Sequence, residues 1–175
     1  MGNDAIVLQE IMSQPEVWAA TRQRLVASRD PLQELLFSQC WDTILYAGSG
    51  SSHYLAVAAA TLHQQLTGQR SRGVPSSEVA LFPKSVYPDV LGAQVLLVAI
   101  SRSGETSEAL WAVDRQRRRG QAVLALTARP GSPLAEQADV AIVAAEADER
   151  GVPQTRAFSS LYLAAQYVSG LVADA

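Results

Sequence analysis

The chain has 175 residues, of which 48% are hydrophobic and 18% charged, and it carries a formal net charge of −3. That length suits a single domain large enough to bury a core, and the composition excludes an intrinsically disordered chain. The negative net charge gives no reason to expect a nucleic-acid partner. No uncharged apolar stretch approaches the length of a membrane span, so no membrane partner is expected either.

Cysteine and histidine are too scarce to predict a metal centre. Cys40 is the single cysteine, which excludes an intrachain disulfide and a cysteine cluster. His53 and His63 are the two histidines, and their spacing does not suit two ligands of one metal ion. We therefore expect no metal and no other cofactor. The N-terminal sequence lacks a basic segment followed by an apolar run, which predicts a cytoplasmic protein rather than a secreted one.

The first forty residues have a helical pattern. Apolar residues at helical spacing before Pro15 predict one helix, and those from Val17 to Leu25 predict a second. Asp30-Pro31 is a typical helix start and predicts a third. We expect residues 1–40 to form a helical segment that packs on a single domain of residues 41–175.

Beyond residue 40 the sequence alternates between strand and helix patterns. Short apolar segments predict five strands, at 43–48, 73–79 (the weakest), 94–101, 122–127 and 139–144. Helices are predicted between them, over about 54–66, up to Arg119, briefly before the fifth strand, and over 155–172, with a loop at 83–88. Uninterrupted apolar runs indicate strands buried on both faces. The pattern predicts a three-layer α/β fold with a doubly wound parallel sheet.

Two polar loops follow strands. GSGSS (48–52) follows the first strand and SRSGETS (101–107) the third. In a sheet ordered 2-1-3-4-5 these two strands are neighbours where the strand order reverses, which is where such sheets bind ligands. Hydroxyl groups, a glycine that permits a tight turn, and the N-terminus of the next helix suit a phosphate. The alternatives are that Ser103 and Thr106 only cap that helix, and that GSGSS is only a tight turn.

Glu149 is a candidate catalytic residue in the charged loop Glu146–Pro153. A carboxylate in such a loop acts as a general base if it is partly desolvated. The alternative, which the surrounding cluster of charges slightly favours, is a solvated surface residue.

Several segments together resemble the sugar isomerase (SIS) domain family. They are EIMSQPEVW (10–18), GSGSS, SRSGET, RPGSPLAEQADVAI (129–142) and ERGVPQTRAF (149–158). The likeness covers nearly the whole chain and is strongest to the first SIS domain of the isomerase half of glucosamine-6-phosphate synthase and to related aminosugar-phosphate isomerases and deaminases. It implies a flavodoxin-like doubly wound sheet of order 2-1-3-4-5 that binds a phosphosugar.

The resemblance also implies roles for individual residues. It assigns the phosphate to Ser52, Ser101, Arg102, Ser103 and Thr106. It assigns the sugar lining to Gly50, Ser51, Val152 and Gln154, with Glu149 as a nearby carboxylate. The chain departs from the family at Arg102, where glutamine is frequent, and from the synthase branch at Gln154 and Arg156, where a small serine-type residue and a lysine are common. Those departures leave the identity of the sugar open.

Two functions follow from this resemblance. The first is an aldose–ketose isomerase or deaminase acting on aminosugar or hexose phosphates, and the second is a phosphosugar-binding module without catalysis, such as a sensor. A flavodoxin-like domain for another ligand is a third, although the lysine-containing loop of many nucleotide-binding proteins is absent.

The family's branch usually carries two SIS domains. We therefore expect half of a two-domain protein or a homodimer, paired through exposed apolar residues near Val17–Leu25 and Leu161–Leu171.

Overall fold

The computed structural model describes residues 3–87, 90 and 92–175. Three helices come first, and strands then alternate with helices along the rest of the chain. The strands are β1 (Thr43–Gly48), β2 (Ser71–Pro75), β3 (Val95–Ile100), β4 (Val123–Thr127) and β5 (Val140–Val143). The helices are α1 (Asn3–Met12), α2 (Gln14–Ala27), α3 (Arg29–Phe37), α4 (Ser51–Thr67), α5 (Ser76–Leu81), α6 (Pro83–Val86), α7 (Ser107–Arg118), α8 (Pro133–Gln137) and α9 (Arg156–Ala173).

The five strands form one parallel sheet in the order β2-β1-β3-β4-β5. In the paired register, Gly48 at the end of β1 lies between Pro75 of β2 and Ile100 of β3. The strand after β1 is therefore added on one side of the β1–β3 pair, and the strands after β3 are added on the other side. The predicted fold class and strand order are confirmed, and the reversal lies between β1 and β3.

Alternate residues of each strand enter separate cores on the two faces of the sheet, because successive strand side chains point to opposite sides. Ile44 and Tyr46 pack on the face covered by α4 and α9, with residues of α2 and α3 in the same core. Leu45 and Ala47 pack on the face covered by α5 and α7. Within the described residues, no helix combines the length and apolarity that a membrane crossing needs.

Helices α2 and α9 bury their apolar faces within this chain. Val17 and Leu25 of α2 are buried, and so are Leu161 and Val168 of α9, all in the core shared with the sheet. Trp18 of α2 is nevertheless 40% exposed, so part of the apolar surface of these helices lies outside the core. Pairing through these helices stays a prediction.

The region between β1 and β3 differs from the prediction in three places. The second strand is Ser71–Pro75 rather than 73–79, and the residues that follow form helices α5 and α6 rather than a strand and a loop. Pro88, the end of the predicted loop, lies outside the described residues. Helix α4 begins at Ser51, three residues earlier than the predicted Tyr54, so Ser51 and Ser52 belong to its first turn. The short segment SRGVP is an edge strand because it pairs with β1, although its own apolar content is low.

A histidine is buried between α4, α9 and the sheet. His63 has no exposed surface, and its Nδ1 lies 3.2 Å from the hydroxyl of Tyr46. Its Nε2 lies 3.1 Å from Oε1 of Gln69, which can only accept, so the Nε2–H donates there and Nδ1 accepts from Tyr46. Burial lowers the pKa of His63 below its usual value, partly opposed by the hydrogen bond to Gln69. Burial also raises the pKa of Tyr46.

We expect this histidine to make the fold less stable in acid. Because the folded pKa lies below that of the unfolded chain, His63 favours folding above the unfolded value of about 6.5, and its contribution is lost as the pH falls below it. Urea unfolding at pH 8 and pH 5 should show a smaller loss of unfolding free energy for His63→Gln than for the wild type. Equal losses in both proteins would contradict this assignment.

Candidate functional site

The two polar loops meet at the end of the sheet where the strand order reverses. Between them lies a cavity of about 110 Å³. It is lined by Ser49, Ser52, Ile100, Ser101, Arg102, Ser103, Thr106 and Gln154. None of these residues is a carboxylate, and six are serine, threonine or glutamine. We call this space the polar cavity.

Hydrogen bonds within the second loop fix its shape. The hydroxyls of Ser101 and Thr106 lie 3.0 Å apart, and the backbone N–H of Gly104 donates to Oγ of Ser101 over 3.2 Å. The backbone N–H of Glu105 donates to Oγ of Ser103 over 3.2 Å. Thr106 precedes α7, but its side chain makes no capping hydrogen bond to that helix. The loop is therefore pre-shaped around its own hydroxyls, and capping does not account for Thr106.

Strand β4 and the turn after it contact the loop Ser101–Thr106 and support it. The hydroxyl of Thr127 donates to the carbonyl of Arg102 over 3.1 Å, and the N–H of Ala128 donates to the same oxygen over 3.1 Å. Gly104 has φ +65°, and a Cβ there would lie 2.5 Å from Cβ of Ser132. A glycine is required because the backbone is left-handed and packs directly on Ser132.

Both helices that flank the polar cavity begin beside it. Helix α7 starts one residue after Thr106, and Ser52 lies in the first turn of α4. The N-terminus of a helix carries a partial positive charge and favours a bound anion. Two such termini at one cavity lined without carboxylates create a site for a negatively charged group.

Arg102 holds a neighbouring loop as well as lining the cavity. Its Nη1 donates to the carbonyl of Gly151 over 3.1 Å and lies 3.9 Å from Oε1 of Glu149. The guanidinium group therefore links the loop Ser101–Thr106 to residues 149–151. Its positive charge stays beside the cavity, where it adds to the attraction for an anion.

Gln154, in the loop between β5 and α9, also lines the polar cavity. Its Oε1 is buried and has no hydrogen-bond partner in the structure. A glutamine side chain offers both an acceptor and two donors, which exchange places when the amide turns over. Gln154 is thus a wall residue whose buried oxygen has hydrogen-bonding capacity left for a ligand.

Four of the residues expected at the site do not line the polar cavity, and the roles predicted for Gly50, Ser51 and Val152 beside the sugar stay predictions. Gly50 and Ser51 are exposed and Val152 is 80% exposed, and none of the three lines the polar cavity. The side chain of Glu149 is closed off from solvent, and its oxygens accept from the N–H and the hydroxyl of Thr155 over 2.9 to 3.1 Å. These bonds hold the start of α9, and catalysis by Glu149 stays a prediction.

Sequence reasoning missed several residues that shape the cavity. Ser49 lines it directly, and its place immediately after a buried strand was the available signal. Thr127 and Ser132 support the loop from more than twenty residues away, where no local pattern points to them. In the part of the chain that the structure describes, no cluster of three or more His, Cys, Asp or Glu side chains could hold a metal ion.

These features define a doubly wound α/β protein with a polar cavity at the reversal of its sheet. The chain belongs to the SIS domain family, which matches residues 38–168, and the resemblance found in the sequence is thereby confirmed. It is 33% identical over 97% of its length to a glutamine–fructose-6-phosphate aminotransferase [isomerizing] from Pyrobaculum aerophilum.

Two solved structures show the same fold. A glucosamine-6-phosphate deaminase from Thermotoga maritima has a TM-score of 0.68 at 26% identity, over 89% of this chain and 49% of that chain. An Escherichia coli CFT073 protein in complex with A5P has a TM-score of 0.67 at 19% identity, over 99% of this chain and 93% of that chain. This chain spans 27% of the Pyrobaculum aerophilum relative, so most of that protein has no counterpart in it.

Proposed function

We propose that this chain binds a sugar phosphate, with the phosphate in the polar cavity and the sugar extending past Gln154. The observation that carries the proposal is the composition of the cavity wall, which has hydroxyls, an amide and an arginine but no carboxylate. Hydrogen bonds from hydroxyls and amides to a charged phosphate are stronger than those between neutral groups. A cavity of about 110 Å³ suits the phosphate group alone, which leaves the sugar outside it.

We further propose that the chain is one SIS domain of an aldose–ketose isomerase or deaminase acting on aminosugar or hexose phosphates. The named relative and the Thermotoga maritima deaminase support this proposal, because both names refer to six-carbon sugar phosphates. Isomerisation needs a group that opens the ring and a base that moves a proton. None of the described residues lining the polar cavity is a carboxylate or histidine, so the base would be Glu149, beside Arg102, or a group from a second domain or subunit.

The second candidate function is phosphosugar binding without catalysis. It is favoured by the engagement of Glu149, whose oxygens already bond to Thr155. Turnover assays on this chain with fructose 6-phosphate and glucosamine 6-phosphate separate the two functions. Binding of either sugar without conversion supports the module, and conversion supports the enzyme.

A homodimer or a pair of SIS domains in the cytoplasm is part of the same proposal. We also propose that residues 1–40 are a helical extension to the SIS domain of residues 41–175. Sedimentation equilibrium at micromolar concentration tests the pairing, and a purely monomeric chain would exclude the homodimer.

The phosphate assignment is tested by the double variant Ser103→Ala/Thr106→Ala. We expect affinity for fructose 6-phosphate to fall by about 100-fold, because two hydrogen bonds to a charged group are lost. The fold should persist, since Thr106 makes no capping hydrogen bond. Titration calorimetry measures the affinity. Ser107→Ala, an exposed neighbour that does not line the cavity, is the matched control, and unchanged affinity in the double variant would refute the phosphate site.

A further inference from the structure

Helix α1 buries a carboxylate rather than an apolar side chain. Leu8 is 60% exposed and Met12 is 72% exposed, whereas Glu10 is 4% exposed. Among residues 4–12 of this helix, Glu10 alone is buried. Burying a carboxylate is unfavourable unless hydrogen bonds replace its water. The contacts of Glu10 therefore explain where α1 lies.

Those contacts are with the backbone that leads to the polar cavity. The N–H of Arg150 donates to Oε1 of Glu10 over 2.6 Å, and the N–H of Gly151 lies 3.2 Å from each of its oxygens. The carbonyl of Gly151 accepts from Arg102 over 3.1 Å. Gly151 is thus held at its N–H by α1 and at its carbonyl by the loop that lines the cavity.

The fit between the two residues is close. A Cβ at position 151 would lie 2.5 Å from Oε2 of Glu10, so a side chain there would push the carboxylate away. The close approach of the carboxylate to Gly151 therefore depends on the absence of a side chain at this position.

Polar contacts help to hold the segment Glu149–Thr155. Its ends are joined because Glu149 accepts from the N–H of Thr155 over 3.0 Å. Beside it lies a cavity of about 1000 Å³ lined by Glu10, Arg102 and Glu149 among others. The segment has space to shift if its hydrogen bonds are lost. Gln154, which lines the polar cavity, lies three residues after Gly151 and would move with it.

We propose that Glu10 is a positioning residue that sets the place of Gln154 in the ligand site, an inference that rests on the proposed binding of a sugar phosphate. Glu10 touches no ligand. It fixes the backbone at Arg150 and Gly151, and the loop in turn presents the amide of Gln154 to the ligand. Helix α1 is thereby part of the binding apparatus, although it lies outside the sheet and its loops.

The test is a double-mutant cycle between Glu10 and Gln154, with fructose 6-phosphate as the ligand and titration calorimetry as the measurement. Glu10→Ala alone and Gln154→Ala alone should each weaken binding by about tenfold, the size of one coupled contact. In the double variant the loss should stay near tenfold, because Glu10 acts through Gln154. A 100-fold loss in the double variant, or no loss in Glu10→Ala, overturns the proposal.

Three controls keep the outcome clear. Glu16→Gln changes an exposed carboxylate on the neighbouring helix α2 and should leave affinity unchanged. Gly151→Ala displaces the carboxylate of Glu10 without removing it, and it replaces Glu10→Ala if that variant fails to fold. Gly151→Ala should then weaken binding of fructose 6-phosphate by about tenfold, and an unchanged affinity overturns the proposal. A wild-type chain that binds neither fructose 6-phosphate nor inorganic phosphate refutes the proposed function, whereas a binding wild type with an unaffected Glu10→Ala refutes this inference alone.

Discussion

Gly104→Ala should abolish most of the affinity for fructose 6-phosphate and lower the free energy of unfolding by about 2–4 kcal/mol. Two costs combine at this position. The backbone has φ +65°, which is unfavourable for an alanine, and the new methyl group would meet the side chain of Ser132. The loop cannot move aside freely, since the N–H of Leu134 donates to the carbonyl of Gly104 over 3.0 Å. Calorimetric titration and urea unfolding measure the two effects.

Gly131→Ala separates the two costs. Gly131 has φ +63°, close to that of Gly104, but a Cβ there would meet no atom within 4 Å. The free energy of unfolding of this variant should fall by only about 1–2 kcal/mol, which is the conformational cost alone. Its affinity for fructose 6-phosphate should be unchanged, because Gly131 does not line the polar cavity. If Gly104→Ala and Gly131→Ala behaved alike, the contact with Ser132 would be unimportant and the loop would be adaptable.

The strands that were predicted correctly are those whose own residues demand burial. β1, β3, β4 and β5 each contain a short run of apolar residues rich in β-branched side chains or leucine, and a run of that length bounded by turn residues favours a buried strand. β2 contains no such run. Its position is set by pairing with β1 and by the contact of Gly73 with α4, where a Cβ would meet the backbone of Val57. A strand defined by its neighbours is poorly visible in its own sequence.

From residue patterns alone the ligand site was predictable only where its residues follow strands directly, whereas Gln154 was assigned through the family resemblance. Ser52 and the loop Ser101–Thr106 lie next to β1 and β3, and strand order brings them together. The hydrogen bond from Arg102 to Gly151 joins residues 49 positions apart, and the hydrogen bond from Gly151 to Glu10 joins residues 141 positions apart. Such pairs depend on where α1 and the loop after β5 settle in three dimensions. No local periodicity or spacing encodes them.

Gly48→Ala should disturb both the fold and the site, because Gly48 allows α4 to begin against the end of β1. A Cβ there would meet the carbonyl group of Ser52 and lie 2.8 Å from the backbone nitrogen of His53. The strand itself cannot yield, since Gly48 is paired with β2 on one side and β3 on the other. The first turn of α4 must therefore shift, and Ser52 shifts with it. We expect a loss of about 3 kcal/mol in unfolding free energy, typical of overpacking.

Gly170→Ala is the matched control for this prediction. Gly170 lies inside α9, and a Cβ there would meet no atom within 4 Å. The same chemical change should therefore raise the unfolding free energy by about 0.5–1 kcal/mol, since alanine favours helix more than glycine does. Affinity for fructose 6-phosphate should fall by at least tenfold in Gly48→Ala, the loss of one hydrogen bond to a charged group, and stay constant in Gly170→Ala. A stable Gly48→Ala with full affinity would mean that Ser52 is not held against β1 and does not contribute to the phosphate site.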